Sequence, residues 1–206
     1  MSLFQHARFV AGAVELAQLP RTSRAEVAFA GRSNAGKSSA INALLNRKKL
    51  AFVSKTPGRT QQLNYFDLGD DRYLVDLPGY GYARVSKPEQ ARWERLLPTY
   101  LQTREALRGL VSIMDIRHPI THLDELLIGV FAPTTKPIHA LLTKSDKLSR
   151  GAAQAALLAV QSKLQSRFPF ATCQLFSSLS REGVDEAKAV IEGWLRDGRA
   201  TQPASE

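Results

Sequence analysis

A single cysteine, Cys173, stands in a chain of 206 residues. That excludes an internal disulfide framework and any multi-thiolate metal site. The four histidines, His6, His118, His122 and His139, show no metal-ligand spacing with carboxylates or thiols. His118 and His122 lie four apart, but Pro119 interrupts any shared helix. No apolar run reaches the roughly 18 residues of a membrane span. The first twenty residues, MSLFQHARFVAGAVELAQLP, are too weakly apolar for a secretory signal and lack the Arg/Ser richness of a transit peptide. The chain therefore reads as soluble and cytoplasmic. Negative charge is also scarce: 19 Asp and Glu against 28 Lys and Arg give a net charge of +9, which favours a polyanionic partner. No internal repeat is visible, and monomer is the default expectation.

What remains is ordinary globular material, 44% hydrophobic and 23% charged, which excludes a disordered chain or a coiled coil. Short β-branched or apolar runs alternate with longer amphipathic stretches. The pattern predicts strands over 26–30, 63–68, 72–76, 109–116, 138–143 and 172–176. Helices are predicted over 38–45, 88–106, 121–131, 149–168 and 181–195. Gly69-Asp70-Asp71 reads as a tight turn between the second and third strands. The expected fold is an α/β domain, a doubly wound, mostly parallel six-stranded sheet with helices on both faces. Residues 1–22 read as an N-terminal arm or helix, 23–197 as the domain, and 198–206 as a fraying tail. Such sheets bind ligands beyond the carboxyl ends of their strands.

The sharpest motif stands at the end of the first strand. Gly31-Arg32-Ser33-Asn34-Ala35-Gly36-Lys37-Ser38 fits the phosphate-binding pattern G-x-x-x-x-G-K-[ST], placed between a strand and a helix as its chemistry requires. The glycines allow a concave nest of N–H groups at a helix N-terminus. Lys37 is expected to reach β- and γ-phosphate oxygens, and Ser38 to give its hydroxyl oxygen to Mg²⁺. Three further strand ends narrow the nucleotide. Asp76-Leu77-Pro78-Gly79 has the form D-x-x-G: Asp76 would hold Mg²⁺ through water, and the Gly79 N–H would touch the γ-phosphate. Thr143-Lys144-Ser145-Asp146 has the form [NT]-K-x-D. Asp146 can accept from guanine N1–H and the 2-amino group, donors that adenine does not offer in that arrangement, while the stem of Lys144 covers the base. Phe176-Ser177-Ser178 would turn backbone N–H groups toward guanine O6.

Between Ser38 and Asp76 a Mg²⁺-sensing switch is needed. Thr56 and Thr60 are the candidates, and Thr60 is preferred because it precedes the Leu63 strand and Gly58 lets the loop fold over the phosphates. The residue after D-x-x-G is Tyr80, where efficient GTPases place a water-orienting Gln. Slow intrinsic hydrolysis is expected, helped by K⁺ near Asn34 or by an outside element; Arg59 as an internal arginine finger is the weaker option. From Gly31 to Phe66 the chain carries Arg32, Lys37, Arg47, Lys48, Lys49, Lys55 and Arg59 and no acidic residue. Arg84 and Lys87 follow the second switch. Such a surface suits RNA. Tyr65, Phe66, Tyr80 and Tyr82 could stack on unpaired bases; Tyr80 and Tyr82 are the better candidates, since alternation in a strand turns one of Tyr65 and Phe66 into the core. Cys173, Trp93 and Trp194 read as packing residues.

The segments GRSNAGKSSAIN, KTPGRTQQLNYF, DLPGYGYARV, TKSD and FSS resemble the EngB (YihA/YsxC) family of bacterial ribosome-biogenesis GTPases, within the TrmE–Era superfamily. The likeness runs from about Phe9 to Leu195. Ala35 and Ser145 depart from residues more usual in that family. The resemblance implies a GTPase domain that binds GTP or GDP with Mg²⁺, through residues 31–38, Gly58, Arg59, Thr60, Gln61, Gln62, residues 76–79, residues 143–146 and residues 176–178. Lys37, Thr60 and Gly79 are the expected catalytic contacts, with Ser38 and Thr60 as direct metal ligands. It also implies a role with the large ribosomal subunit and a requirement for normal division and septation. The alternative is a nucleotide-gated division factor that acts through protein contacts, with hydrolysis minor.

Overall fold

In the computed structural model, residues 3–51, 62–80 and 87–197 are described. Seven strands and five α-helices follow in the order β1 (Arg8–Ala13), β2 (Ala25–Gly31), α1 (Lys37–Leu44), β3 (Leu63–Asp67), β4 (Arg72–Asp76), α2 (Lys87–Thr103), β5 (Leu107–Asp115), α3 (His122–Phe131), β6 (Ile138–Thr143), α4 (Arg150–Arg167), β7 (Ala171–Leu175) and α5 (Val184–Asp197). They form one sheet in the order β1-β3-β4-β2-β5-β6-β7. β2 runs parallel to β4 and β5, and β6 parallel to β5 and β7, while β3 is antiparallel to both β1 and β4.

The α/β class and the mostly parallel sheet agree with the sequence reading; the strand count differs, being seven rather than six. The extra strand lies in the expected arm. Arg8–Ala13 joins the edge of the sheet against β3, with a register shift between Phe9 and Ala11. Its neighbours Phe4 and Ala7 are buried, and Arg8 forks onto Asp67 Oδ2 at 3.0 and 2.9 Å. An edge strand exposed on both faces over Arg8, Phe9 and Val10, and bulged as well, offers no clean alternation to read. The Gln62 amide packs onto Gly12, 2.4 Å from where a Cβ would stand, so a larger residue there would turn that side chain aside.

The central parallel strands β2, β4, β5 and β6 are buried on both faces, and their period of two sorts side chains into two cores. From β2, Ala28 and Ala30 face the core that includes Tyr65, Tyr100, Leu110 and Phe131. Val27 and Phe29 face the core that includes Ile41, Phe66, Val111 and Trp194. Tyr65 and Phe66 are therefore both buried, one on each face. Trp194 lies so close to β5 that a Cβ on Gly109 would stand 2.4 Å from its ring, so the backbone of β5 itself is part of that packing. The tight turn between β3 and β4 is present, with positive φ at Gly69, Asp70 and Asp71. The carboxyl ends of the parallel strands β2, β4, β5, β6 and β7 open on the same edge of the sheet, and the four motif loops follow β2, β4, β6 and β7.

Candidate functional site

β2 ends at Gly31, where any Cβ would stand 2.7 Å from the Ile113 carbonyl oxygen of β5; only glycine lets the loop leave the sheet there. The loop then passes through left-handed backbone at Asn34 (φ 64°) and Gly36 (φ 99°). Gly36 caps α1, which starts at Lys37. The first-turn N–H groups of a helix have no partner inside it, and they carry the positive end of its dipole. Lys37, Ser38 and those N–H groups therefore share one corner, of a kind that suits an anion.

Lys37 is buried, and its Nζ contacts Asp76 Oδ1, itself only 2% exposed. Asp76 closes β4, and the chain beyond it is held by Leu77 N–H donating to the Phe29 carbonyl at 2.9 Å. The structure thus brings together the lysine and the aspartate that the sequence assigned to phosphate and metal, from segments 39 residues apart. Gly79 packs beside the phosphate loop, with Ser33 backbone atoms 3.5 Å from the position of a Cβ.

The base-side loops converge on the same corner. The Thr143 hydroxyl sits between the Ala35 and Met114 carbonyls, and Lys144 Nζ donates to the Asn34 carbonyl at 2.7 Å and to Asp115 Oδ2 at 2.9 Å. Asp115, hydrogen-bonded first of all by Arg117, is held well below the usual carboxylate range. It therefore stays charged and fixes Lys144 across the loop. Asp146 lies at the surface, and its Oδ1 accepts the Ser177 hydroxyl at 2.6 Å. That bond lowers its pKa, so it is an acceptor at neutral pH. The same Ser177 oxygen accepts N–H groups from Leu179 and Ser180, and Ser145 N–H donates to the Phe176 carbonyl. Two loops from different strands are stitched into one rim, on which Ser178 follows Ser177.

Gln62 is placed apart from this corner: its amide donates to Asn64 Oδ1 at 3.0 Å and lies against Gly12 at the β1 edge. Thr56, Gly58, Arg59, Thr60, Gln61, Tyr82 and Arg84 lie outside the described residues. Tyr80 differs from the expectation of a free stacking ring. It packs against the core, and its hydroxyl donates to Asp124 Oδ1 at 2.8 Å. Sequence reasoning also missed Asp115, Asp124 and Glu182, whose Oε2 accepts the Ser145 hydroxyl at 2.5 Å. Their partners lie 29, 44 and 37 residues away; the local signals were Asp115, a carboxylate at a strand end, and the capping-box spacing of Thr121 and Asp124, and neither points to the distant partner.

A family model described as "50S ribosome-binding GTPase" matches residues 26–144. The chain is 53% identical over 199 residues to the probable GTP-binding protein EngB of Nitrosomonas europaea, covering 97% of this chain and 90% of that one. It is 56% identical over 196 residues to the EngB of Azoarcus sp., covering 95% and 94%. Among solved structures, a probable GTP-binding protein EngB matches with a TM-score of 0.65 at 19% identity, over 84% of this chain and all of that one. Era in complex with MgGDPNP and nucleotides 1506–1542 of 16S ribosomal RNA matches with a TM-score of 0.65 at 23% identity, over 88% and 60%. At those identities the structures speak for the fold. The strand-end loops, the family model and the full-length relatives agree: the chain belongs to the EngB family of GTP-binding proteins and is a GTPase.

Proposed function

We propose that the protein is a GTP-driven switch in assembly of the large ribosomal subunit, with slow intrinsic hydrolysis, and that normal division and septation depend on it. The observation that carries the nucleotide part is the corner in which α1, Lys37, Asp76 and the Lys144–Asp146 rim meet. The ribosomal part is supported by the acid-free basic stretch from Gly31 to Phe66 and by the family model's description. The relatives' names mention only GTP binding.

The metal fits this corner by its donor set. Among the described residues no three His, Cys, Asp or Glu gather into a metal cage. Mg²⁺ in nucleotide sites takes one or two protein oxygens and completes its shell with phosphates and water. Ser38 and, through water, Asp76 are those oxygens, with Thr60 the expected third. When bound, the ion neutralises charge developing on the phosphates. K⁺ beside Asn34 remains part of the proposal, although the positive φ of Asn34 already explains an asparagine there.

The residues divide the work as follows. The phosphate-loop backbone and α1 bind the β-phosphate. Lys37, now paired with Asp76, turns to the phosphates when they compete for its ammonium. Gly79 N–H binds the γ-phosphate, and Asp146, aligned by Ser177, accepts the guanine donors while Ser177 and Ser178 border O6. Arg59, Gly58 and Gln61 accompany Thr60 in the first switch. Tyr80 has no free hydroxyl or amide with which to orient water, which accounts for slow hydrolysis. Among the described residues no helix is long and apolar enough to cross a membrane, and we place the protein, as a monomer, in the cytoplasm where subunits are assembled.

The test is co-sedimentation with purified large and small subunits, with a non-hydrolysable GTP analogue, with GDP and without nucleotide, at two salt concentrations. Large-subunit binding that strengthens with the analogue and weakens with salt is expected. Binding indifferent to nucleotide, or none, overturns the ribosomal reading; the latter favours a division factor acting through protein contacts.

A further inference from the structure

Tyr80 stands at the position where a water-orienting group is usual, yet it is bound on three sides. Its N–H donates to the Gly31 carbonyl at 3.4 Å, and its carbonyl accepts the Ser33 N–H at 3.1 Å. These bonds form a single parallel bridge between Arg32 and Tyr80. They continue the sheet's pairing for one step beyond β4, so the backbone after Gly79 is fastened to the phosphate loop itself. The third bond leaves the sheet. The Tyr80 hydroxyl reaches Asp124 Oδ1 in the first turn of α3.

Asp124 is 1% exposed and fully engaged. Its Oδ2 accepts the Thr121 N–H and the Thr121 hydroxyl, both at 2.7 Å, as the capping box of α3. Its orientation is therefore fixed by the helix, and Oδ1 is left for one donor. Burial above all, and then the Asp124 charge, push the Tyr80 hydroxyl far above its ordinary range. It therefore remains a donor at every working pH. Arg32 and Ser33 on one side and Asp124 on the other line a cavity of about 210 Å³. Tyr80, bonded both to the phosphate loop and to Asp124, links its two walls.

We propose that Tyr80 is a positioning residue for γ-phosphate recognition: pinned to α3 through Asp124 and to the phosphate loop through its backbone, it holds the neighbouring Gly79 N–H where the γ-phosphate arrives. The inference rests on reading Gly79 as the γ-phosphate contact. It goes beyond that reading by placing part of the discrimination between GTP and GDP in α3, outside every nucleotide motif. GDP has no group at that place, so the pin acts on one nucleotide only. A merely structural tyrosine would affect both alike.

The experiment measures the affinities of the full chain, with Mg²⁺, for fluorescent GDP and for a fluorescent non-hydrolysable GTP analogue. Four proteins are compared: the unchanged chain, Tyr80→Phe, Thr121→Val and Gly79→Ala. Tyr80→Phe keeps the ring and removes the pin; it is expected to weaken the analogue about five-fold and to leave GDP within about two-fold. Thr121→Val removes the hydroxyl bond to Asp124 but keeps the Thr121 N–H bond that orients it, and so leaves the pin in place; it is expected to leave the ratio of the two affinities unchanged. Gly79→Ala fits in ordinary contact with Ser33 but removes the backbone freedom with which the Gly79 N–H turns to an arriving γ-phosphate, and is expected to weaken the analogue selectively. If Tyr80→Phe changes both nucleotides equally or neither, while Gly79→Ala remains selective, the pin is overturned and Gly79 stands. If Thr121→Val shifts the ratio as Tyr80→Phe does, the effect belongs to α3 stability, and the pin is overturned as well. If Gly79→Ala is not selective, the γ-phosphate reading fails and takes the pin with it.

Discussion

The two ends of β2 each hold a buried charged pair, and the pairs are built differently. At the amino end Glu26, fully buried, is saturated by the protein. Oε1 accepts Arg104 through Nε at 2.9 Å and Nη2 at 2.5 Å, and Oε2 accepts the hydroxyls of Tyr65 at 3.2 Å and Tyr100 at 2.8 Å. At the carboxyl end Lys37 meets Asp76 through, among the described residues, a single side-chain contact. Saturated charge fixes a fold, tying β2, β3 and α2 together. Charge held by one partner can be handed to a ligand of the same sign as that partner. The difference separates scaffold from site more sharply than burial does, since all four charged groups are largely buried.

Breaking the scaffold end should have the largest effect. Glu26→Ala leaves Arg104 and two tyrosines without their acceptor and should cost about 3–5 kcal/mol of stability. Urea unfolding measures this, while GDP affinity of the folded fraction stays within about two-fold. Next, Lys37→Ala should lower nucleotide affinity about 100-fold, through lost charge-assisted bonds to phosphate, with a smaller stability loss than Glu26→Ala. If it unfolds the chain as Glu26→Ala does, the contrast between the two ends fails.

A smaller effect sharpens the comparison at the base rim, which is more saturated than the Lys37 corner. Ser145→Ala removes the bond to Glu182 and should weaken guanine nucleotides by about 0.5–1 kcal/mol, read by the same titrations. No change would mean that Ser177 alone orients Asp146. The gentlest test lies off the site. His139 on β6 is bonded to Thr172 and Gln174 and has its pKa lowered by burial. The unfolded chain therefore binds the proton more readily. Stability should be full above the ordinary histidine value of 6.5 and be lost as pH falls from there through the lowered folded value. Urea midpoints against pH should show that slope, and His139→Gln should flatten it.

Much of this was legible in the sequence where the signal is local. Gly31, Gly36 and Lys37 announce their loop because backbone geometry and phosphate chemistry demand those residue types at those spacings. The strand at Ile138–Thr143 was readable to the residue because a buried parallel strand is a continuous apolar run bounded by turn residues. β1 was not readable, since the pairing that makes Arg8–Ala13 a strand is supplied by β3, some 50 residues later. Tyr80 looked like a surface aromatic because its neighbours in the chain are glycines; its partner Asp124 comes from another element. Ser145 showed only as a departure from the family's usual residue, because its partner Glu182 comes from 37 residues further on. Long-range hydrogen bonds between polar side chains leave no periodic trace, and here they join the loops of the site.

The edge position of β1 has a consequence for synthesis. Its register partner for Ala13 is Leu63, and ribosomes add roughly 5–20 residues per second. The strand therefore waits about 2–10 s before its partner has been made. The phosphate loop and the whole first switch are polymerised in that interval, with Phe4, Ala7 and Ala13, all buried in the finished fold, still uncovered and no hairpin partner available. β3 and β4 close on each other across a three-residue turn almost as soon as they emerge. The amino terminus is thus made first and seated late, and the sheet is completed on that side by a strand that must be kept from other edges in the meantime.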